Sequence, residues 1–178
     1  MHSCGLYNAL NMDAKRGAFS LVCILVTCSV IDCTDCPDTW VPFEGSCYLF
    51  GHQKLTFVEA EHYCNQHSAH LVHVEGQEEN AFIKDYLRFE KGDMWWMGLT
   101  DDEVEGIWKW YGEVEKPEFT NWAPGQPDNG GSHEDCAEFD LRTHYGWDGK
   151  WNDVYCHSLL LPICERTGLS PDNNGIIG

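Results

Sequence analysis

Positive charge is scarce in this sequence. Its 178 residues carry 11 Lys and Arg against 29 Asp and Glu, a formal net charge of −18 at pH 7. A field of that sign repels nucleic acid and anionic membrane surfaces and draws cations. No Asn-x-Ser/Thr sequon occurs, so N-glycosylation is not expected. No apolar run approaches the ~20 residues of a membrane span. Internal repeats are missing too. Nothing resembles an activated nucleophile beside its base. The adjacent acids Glu134 and Asp135 have the residue types of a glycosidase pair. Standing in a loop, they serve better as ligands, and the chain reads as a non-enzyme.

Apolar residues are plentiful by contrast. A hydrophobic fraction of 43% and eight Trp predict a packed core rather than disorder. The apolar run 18–31 follows Lys15-Arg16, the pattern of a secretory leader with its basic start. We expect a signal peptide over residues 1–32, cleaved between Thr27 and Asp32, with either Met1 or Met12 as its start. Removing it takes two charges of each sign and leaves the balance at −18. One domain over 33–167 and a frayed tail over 168–178 make up the rest. The expectation is a soluble, secreted, extracellular protein.

The most informative stretch runs from Asn121 to Asp153. It opens with a Pro- and Gly-rich loop, Trp122-Ala-Pro-Gly-Gln-Pro-Asp-Asn-Gly-Gly131, which can be neither helix nor central strand. Gln126, Asp128, Glu134, Asn152 and Asp153 offer side-chain oxygens and amides. Hard cations of the calcium type take six to eight oxygen ligands, often from loops that wrap the ion. Zinc is disfavoured: no cysteine pair suits it, and His133 and His144 lack zinc-type spacing. The stretch reads as a Ca2+ site.

Gln126-Pro127-Asp128, then Glu134-Asp135-Cys136, then Trp151-Asn152-Asp153 resemble the long loop and following strand of a C-type lectin carbohydrate-recognition domain. Trp96-Met97-Gly98-Leu99 is similar to that family's Trp-Ile-Gly-Leu strand. The likeness covers about Cys36 to Cys164. It implies a principal calcium site at Gln126, Asp128, Glu134, Asn152 and Asp153, with Pro127 as the family's cis proline. An auxiliary site would use Asp101, Glu105, Asn129, Asp135 and the Glu134 backbone; Asn129 departs from the family there, since an acid is more usual. In the family's mechanism the ion binds two vicinal sugar hydroxyls, each also hydrogen-bonded to a carboxylate and an amide ligand. Gln-Pro-Asp resembles the galactose type, where Glu-Pro-Asn goes with mannose. The family's vertebrate galactose receptors add a Trp at the position where this chain has Gly130. Tyr145 and Trp147 are substitutes on the Asp140–Lys150 loop, and Trp147 is counted with the sugar-binding residues. The resemblance thus implies a galactose-type glycan-binding lectin of innate immune recognition. The alternative is a mineral-associated interaction protein similar to perlucin-type shell lectins.

Seven cysteines remain after leader removal, and in an exported chain they read as disulfides. Six of them permit fifteen pairings. The lectin resemblance selects Cys36–Cys47, Cys64–Cys164 and Cys136–Cys156. On the loop-entropy account the second contributes about 4–5 kcal/mol. Cys33 is left over, which suggests a disulfide-linked homodimer or a free thiol. Cys33-Thr-Asp-Cys36 also spells a redox motif, but no strand–helix unit precedes it.

The pattern of elements is α+β: two helices, two small antiparallel sheets and the long calcium loop. A hairpin over Pro37–Phe50 turns at Glu44-Gly45. Thr56 and Glu59 form a capping box for a helix burying Phe57, Ala60, Tyr63 and Cys64. A second helix over 75–90 buries Phe82, Ile83, Tyr86 and Leu87. Strands are expected at 69–74, 94–99, around Trp108 and Trp110, and at 161–165. His62, His67, His70 and His73 read as surface histidines.

Overall fold

In the computed structural model, which describes residues 35–168 apart from Lys91, the first helix starts where the sequence places it. The Glu59 carboxylate accepts the Thr56 backbone N–H at 3.0 Å and the hydroxyl at 2.8 Å, so the box closes ahead of α1, Phe57–Gln66. Phe57, Ala60 and Cys64 are buried, while Tyr63 is half-buried. Helix α2 spans Gln77–Leu87 and buries Asn80, Ile83 and Leu87. Phe82 and Tyr86 stay partly exposed because they cover the rims of the hairpin: Phe82 stacks on Phe43 and Tyr86 on Phe50.

The strands are β1 Val41–Phe43, β2 Ser46–Phe50, β3 His70–Leu71, β4 Met94–Thr100, β5 Lys109–Trp110, β6 Cys136–Asp140, β7 Lys150–Val154 and β8 Leu161–Thr167. Their order is β1-β2-β8-β4-β6-β7, with β3 on β8 and β5 on β4. The two expected antiparallel sheets are therefore joined. The join is a short parallel pairing of β4 with β8, Trp95 opposite Leu161 and Trp96 opposite Pro162. Strand β4 lies at the centre, and Trp95, Trp96, Met97 and Leu99 are fully buried. Gly98 is required there: a Cβ would meet the Leu71 carbonyl oxygen at 2.7 Å.

All three expected disulfides are present. Cys64–Cys164 fastens α1 to β8, Cys36–Cys47 pins the chain ahead of the hairpin, and Cys136–Cys156 ties β6 to the turn after β7. The expected leader over 1–32, Cys33, and all but Gly168 of the expected tail lie outside the described residues. No helix among the described residues is long and apolar enough to cross a membrane.

One expectation is corrected. His70 and His73 are half-buried rather than surface residues. His73 stacks on Trp110 at 4.8 Å and lies against His70 at 4.2 Å. Burial, and then the neighbouring His70, push the His73 pKa down to about 3, so the ring is neutral packing material.

Candidate metal and ligand site

The long loop is docked before it reaches the acids. Ala123 N–H donates to the Trp151 carbonyl at 2.8 Å, and Trp151 N–H donates to the Asn121 carbonyl at 3.0 Å. The loop thus begins as a short parallel partner of β7. Trp108, Phe119 and Trp122 pack as an aromatic layer, the last two edge-on to Trp151. The Trp151 indole donates to Asn80 Oδ1 on α2 at 2.8 Å. With Trp151 held on three sides, the next two residues are fixed in place. Both are buried, Asn152 to 7% exposure and Asp153 to 1%.

Beyond Ala123 the loop turns through a cis Gln126–Pro127 bond, as the resemblance implied. Asp128 and Asn129 N–H both donate to Asp153 Oδ2, at 3.0 and 2.7 Å. Gly130 N–H donates to Glu134 Oε2 at 2.6 Å. Gly130 is needed for that approach, since a Cβ would meet the same oxygen at 2.5 Å. Asp128, Glu134 and Asp153 consequently each offer an oxygen, all within 4.8 Å of one another. At an effective dielectric of about 20, two charges that close repel by about 3–4 kcal/mol. The Glu134 carboxyl responds: burial, and then the fields of Asp153 and Asp128, raise its pKa despite the Gly130 bond.

A hard cation would relieve this arrangement, and the chemistry of the donors fits one. Among the described residues four buried side-chain atoms have no hydrogen-bond partner: Asp101 Oδ1, Gln126 Oε1, Glu138 Oε2 and Asp153 Oδ1. Every one is an oxygen acceptor. An unsatisfied buried acceptor costs about 1–3 kcal/mol, and oxygen coordination to a cation of the calcium type removes that cost. Three of the four belong to residues that the sequence selects as ligands.

The auxiliary set is arranged differently. Asp101 is 3% exposed, and its Oδ2 accepts Gly106 N–H at 2.7 Å. Burial raises its pKa, with further contributions from Glu105 and Asp135. The Asn129 amide is engaged within the protein: Oδ1 accepts Glu134 N–H at 3.1 Å and Nδ2 donates to Glu105. Asp135 uses its carbonyl to accept the Thr100 hydroxyl at 2.6 Å. Asp128, Glu134 and Asp153 are the acids that converge; Asp101, Glu105 and Asp135 form no such triad among the described residues.

Sequence reasoning missed a buried charge network behind the site. Glu138 faces Asn152 across the β6–β7 pair and is fully buried. Its Oε1 accepts Asn152 Nδ2–H and an Arg142 N–H, both at 3.0 Å. Burial pushes the Glu138 carboxyl up to about 7, against the pull of Asn152 and Arg142. Arg142 also donates to Asp140 through Nε at 2.8 Å, and its guanidinium lies 5.3 Å from the Tyr145 ring and 5.5 Å from the Trp147 ring. Trp147 is half-buried beside Tyr145, joined to the site through Arg142 and Glu138. The available signal was the spacing of two that puts Glu138 and Asp140 on one face of β6, with Arg142 just past its end.

The chain matches the family described as Lectin C-type domain over residues 53–166. It is 42% identical over 139 residues to human C-type lectin domain family 10 member A, covering 74% of this chain and 40% of that protein. With perlucin of Haliotis laevigata it is 36% identical over 140 residues, covering 78% of this chain and 88% of that one. The mouse scavenger receptor C-type lectin carbohydrate-recognition domain superposes with a TM-score of 0.65 at 37% identity, over 74% of this chain and 98% of that domain. The chain spans about two fifths of the first of these relatives.

Proposed function

We propose, from the premise that the chain belongs to the C-type lectin family, that it binds galactose-type glycans through a calcium ion. The ion would be held by Gln126, Asp128, Glu134, Asn152 and Asp153. The observation that carries this reading is the pair of bare buried oxygens, Gln126 Oε1 and Asp153 Oδ1, in a site where Asp128, Glu134 and Asp153 already converge within 4.8 Å. Calcium supplies open coordination positions for sugar hydroxyls. The chain's own part is to fix donors and acceptors around them. Amides donate where carboxylates only accept, so the order Gln126 then Asp128 sets the hydrogen-bond polarity, and that order supports galactose over mannose. Asp101, Glu105, Asn129 and Asp135 would serve a weaker auxiliary site, because the Asn129 amide already spends both ends on Glu134 and Glu105. Trp147, and Tyr145 beside it, would offer the sugar's apolar face an aromatic neighbour in place of one at Gly130.

The test is retention on immobilised galactose in about 1 mM calcium with elution by a chelator. Exchanging the tripeptide order, Gln126→Glu with Asp128→Asn, keeps oxygen ligands and net charge, and should move preference toward mannose by tenfold or more. Wild type that prefers mannose in direct competition sinks the galactose assignment. Retention that survives the chelator sinks the calcium one.

Three disulfides support an oxidising compartment, and with the apolar run 18–31 we read the domain as exported to the extracellular space. A dimer through Cys33 would raise weak single-site binding by effective concentration. Non-reducing electrophoresis of wild type against Cys33→Ser decides it.

A further inference from the structure

Three of the four bare buried oxygens belong to expected ligands. The fourth, Glu138 Oε2, belongs to a carboxylate outside that set, one bond behind it. We propose that Glu138 is a positioning residue for the site, holding the Asn152 amide with its carbonyl oxygen toward the acid cluster and its nitrogen away. The proposal rests on the calcium reading above and deepens it.

An asparagine side chain has nearly the same shape with its oxygen and nitrogen exchanged, and only one orientation presents oxygen to a cation. Packing alone does not choose. Glu138 Oε1 does, because it already accepts an Arg142 N–H and so has no hydrogen to donate. Glu138 Oε1 takes Asn152 Nδ2–H at 3.0 Å. The flipped amide would set two oxygens against each other in a fully buried place. Asn152 has two amide hydrogens, so the second is left for a ligand hydroxyl. The register fixes the pair: Glu138 faces Asn152 while Ala137 faces Asp153, the neighbouring ligand. Arg142 holds the carboxyl group in place, donating to the same Oε1 at 3.0 Å and to Asp140. A partner removed from such a network leaves the remaining charge uncompensated. Through Arg142 the amide's orientation is also joined to the Tyr145–Trp147 turn.

Glu138→Met keeps the length of the side chain but offers Asn152 no acceptor. Calcium affinity by titration calorimetry should fall about tenfold in that variant. In an Asn152→Asp background both ends of residue 152 are oxygens and orientation ceases to matter, so Glu138→Met should cause no loss there. An equal loss in both backgrounds would show a merely structural role and overturn the proposal. A second readout needs no calcium. In chelated, 15N-labelled wild type, the Asn152 side-chain NH2 pair should be shifted and protected from exchange, and Glu138→Met should remove the protection. An unprotected pair in wild type overturns the proposal. If wild type binds no calcium, the calcium reading fails on its own, and the NH2 signals still decide the Glu138–Asn152 contact.

Discussion

Two acidic regions of this molecule solve the same problem in opposite ways. One is the loop cluster of Asp128, Glu134 and Asp153. The other is a pocket lined by Glu44, Tyr48, Glu75, Glu78, Glu79 and Glu165, between the hairpin and the start of α2. In the pocket the half-buried carboxylates are supplied with donors. Glu165 accepts the Ser46 hydroxyl at 2.7 Å and His73 N–H at 3.2 Å. Glu79 accepts the Tyr48 hydroxyl and Glu75 N–H, both at 2.8 Å. Burial pushes Glu79 up to about 7, so a proton is also at hand near neutrality. In the loop cluster Asp153 receives two N–H groups on Oδ2 and none on Oδ1. Crowded acids alone therefore distinguish nothing. A bare buried oxygen among them marks where a cation is wanted.

The largest expected effect breaks the loop side of this comparison. Asp153→Asn keeps shape and the acceptor for two backbone N–H groups but removes a charge. With a dissociation constant of about 0.1–1 mM, 10 mM calcium should stabilise wild type by about 1.4–2.7 kcal/mol. The variant should lose that gain, while in chelator its unfolding temperature should equal or exceed that of wild type. An unchanged calcium response would remove Asp153 from the site.

Gly130→Ala is next. The added Cβ meets Glu134 Oε2 at 2.5 Å, so Glu134 must retreat and calcium affinity should fall several-fold, with the fold intact by circular dichroism. Equal affinity would mean that the Gly130–Glu134 contact is not part of the binding geometry.

The smallest effect sharpens the pocket side. A carboxyl whose pKa rises on folding holds its proton better in the folded chain. It stabilises the fold below the ordinary value of 4.5 and loses that contribution as pH rises through about 7. In chelator, stability should therefore decline over that window, and Glu79→Gln should flatten the decline. His73 acts in the opposite sense: its pKa falls from 6.5 to about 3, so its contribution is lost as pH drops through that range. The two slopes are separable by denaturant titrations of Glu79→Gln and His73→Phe across pH 3–8.

Elements whose cause is local were legible in the sequence. The Thr56–Glu59 box, the turn at Glu44-Gly45 and the buried Trp-Met-Gly-Leu strand needed only neighbours in the chain. The disulfides were legible through family likeness, since spacing alone left fifteen pairings open. What escaped depends on contacts between distant segments. His73 looked like a surface residue because its stacking partner, Trp110, lies 37 positions away. Nothing local singled out Glu138, because its burial follows from β6 lying between β4 and β7. The parallel join of β4 to β8, likewise, has no local signature.

Asn152 and Asp153 stand on β7, paired to the sheet and backed by Trp151. Gln126, Asp128 and Glu134 stand on backbone that belongs to no strand. The two halves of the site thus carry unequal burdens of inheritance. Residues 124–135 lie outside every strand pairing and all three disulfides, whereas Asn152 and Asp153 lie within the β6–β7 ladder. Gln126, Asp128 and Glu134 can therefore be exchanged, for ion and sugar alike, without touching a strand. A library restricted to those twelve positions would search for new ligands without searching again for a fold.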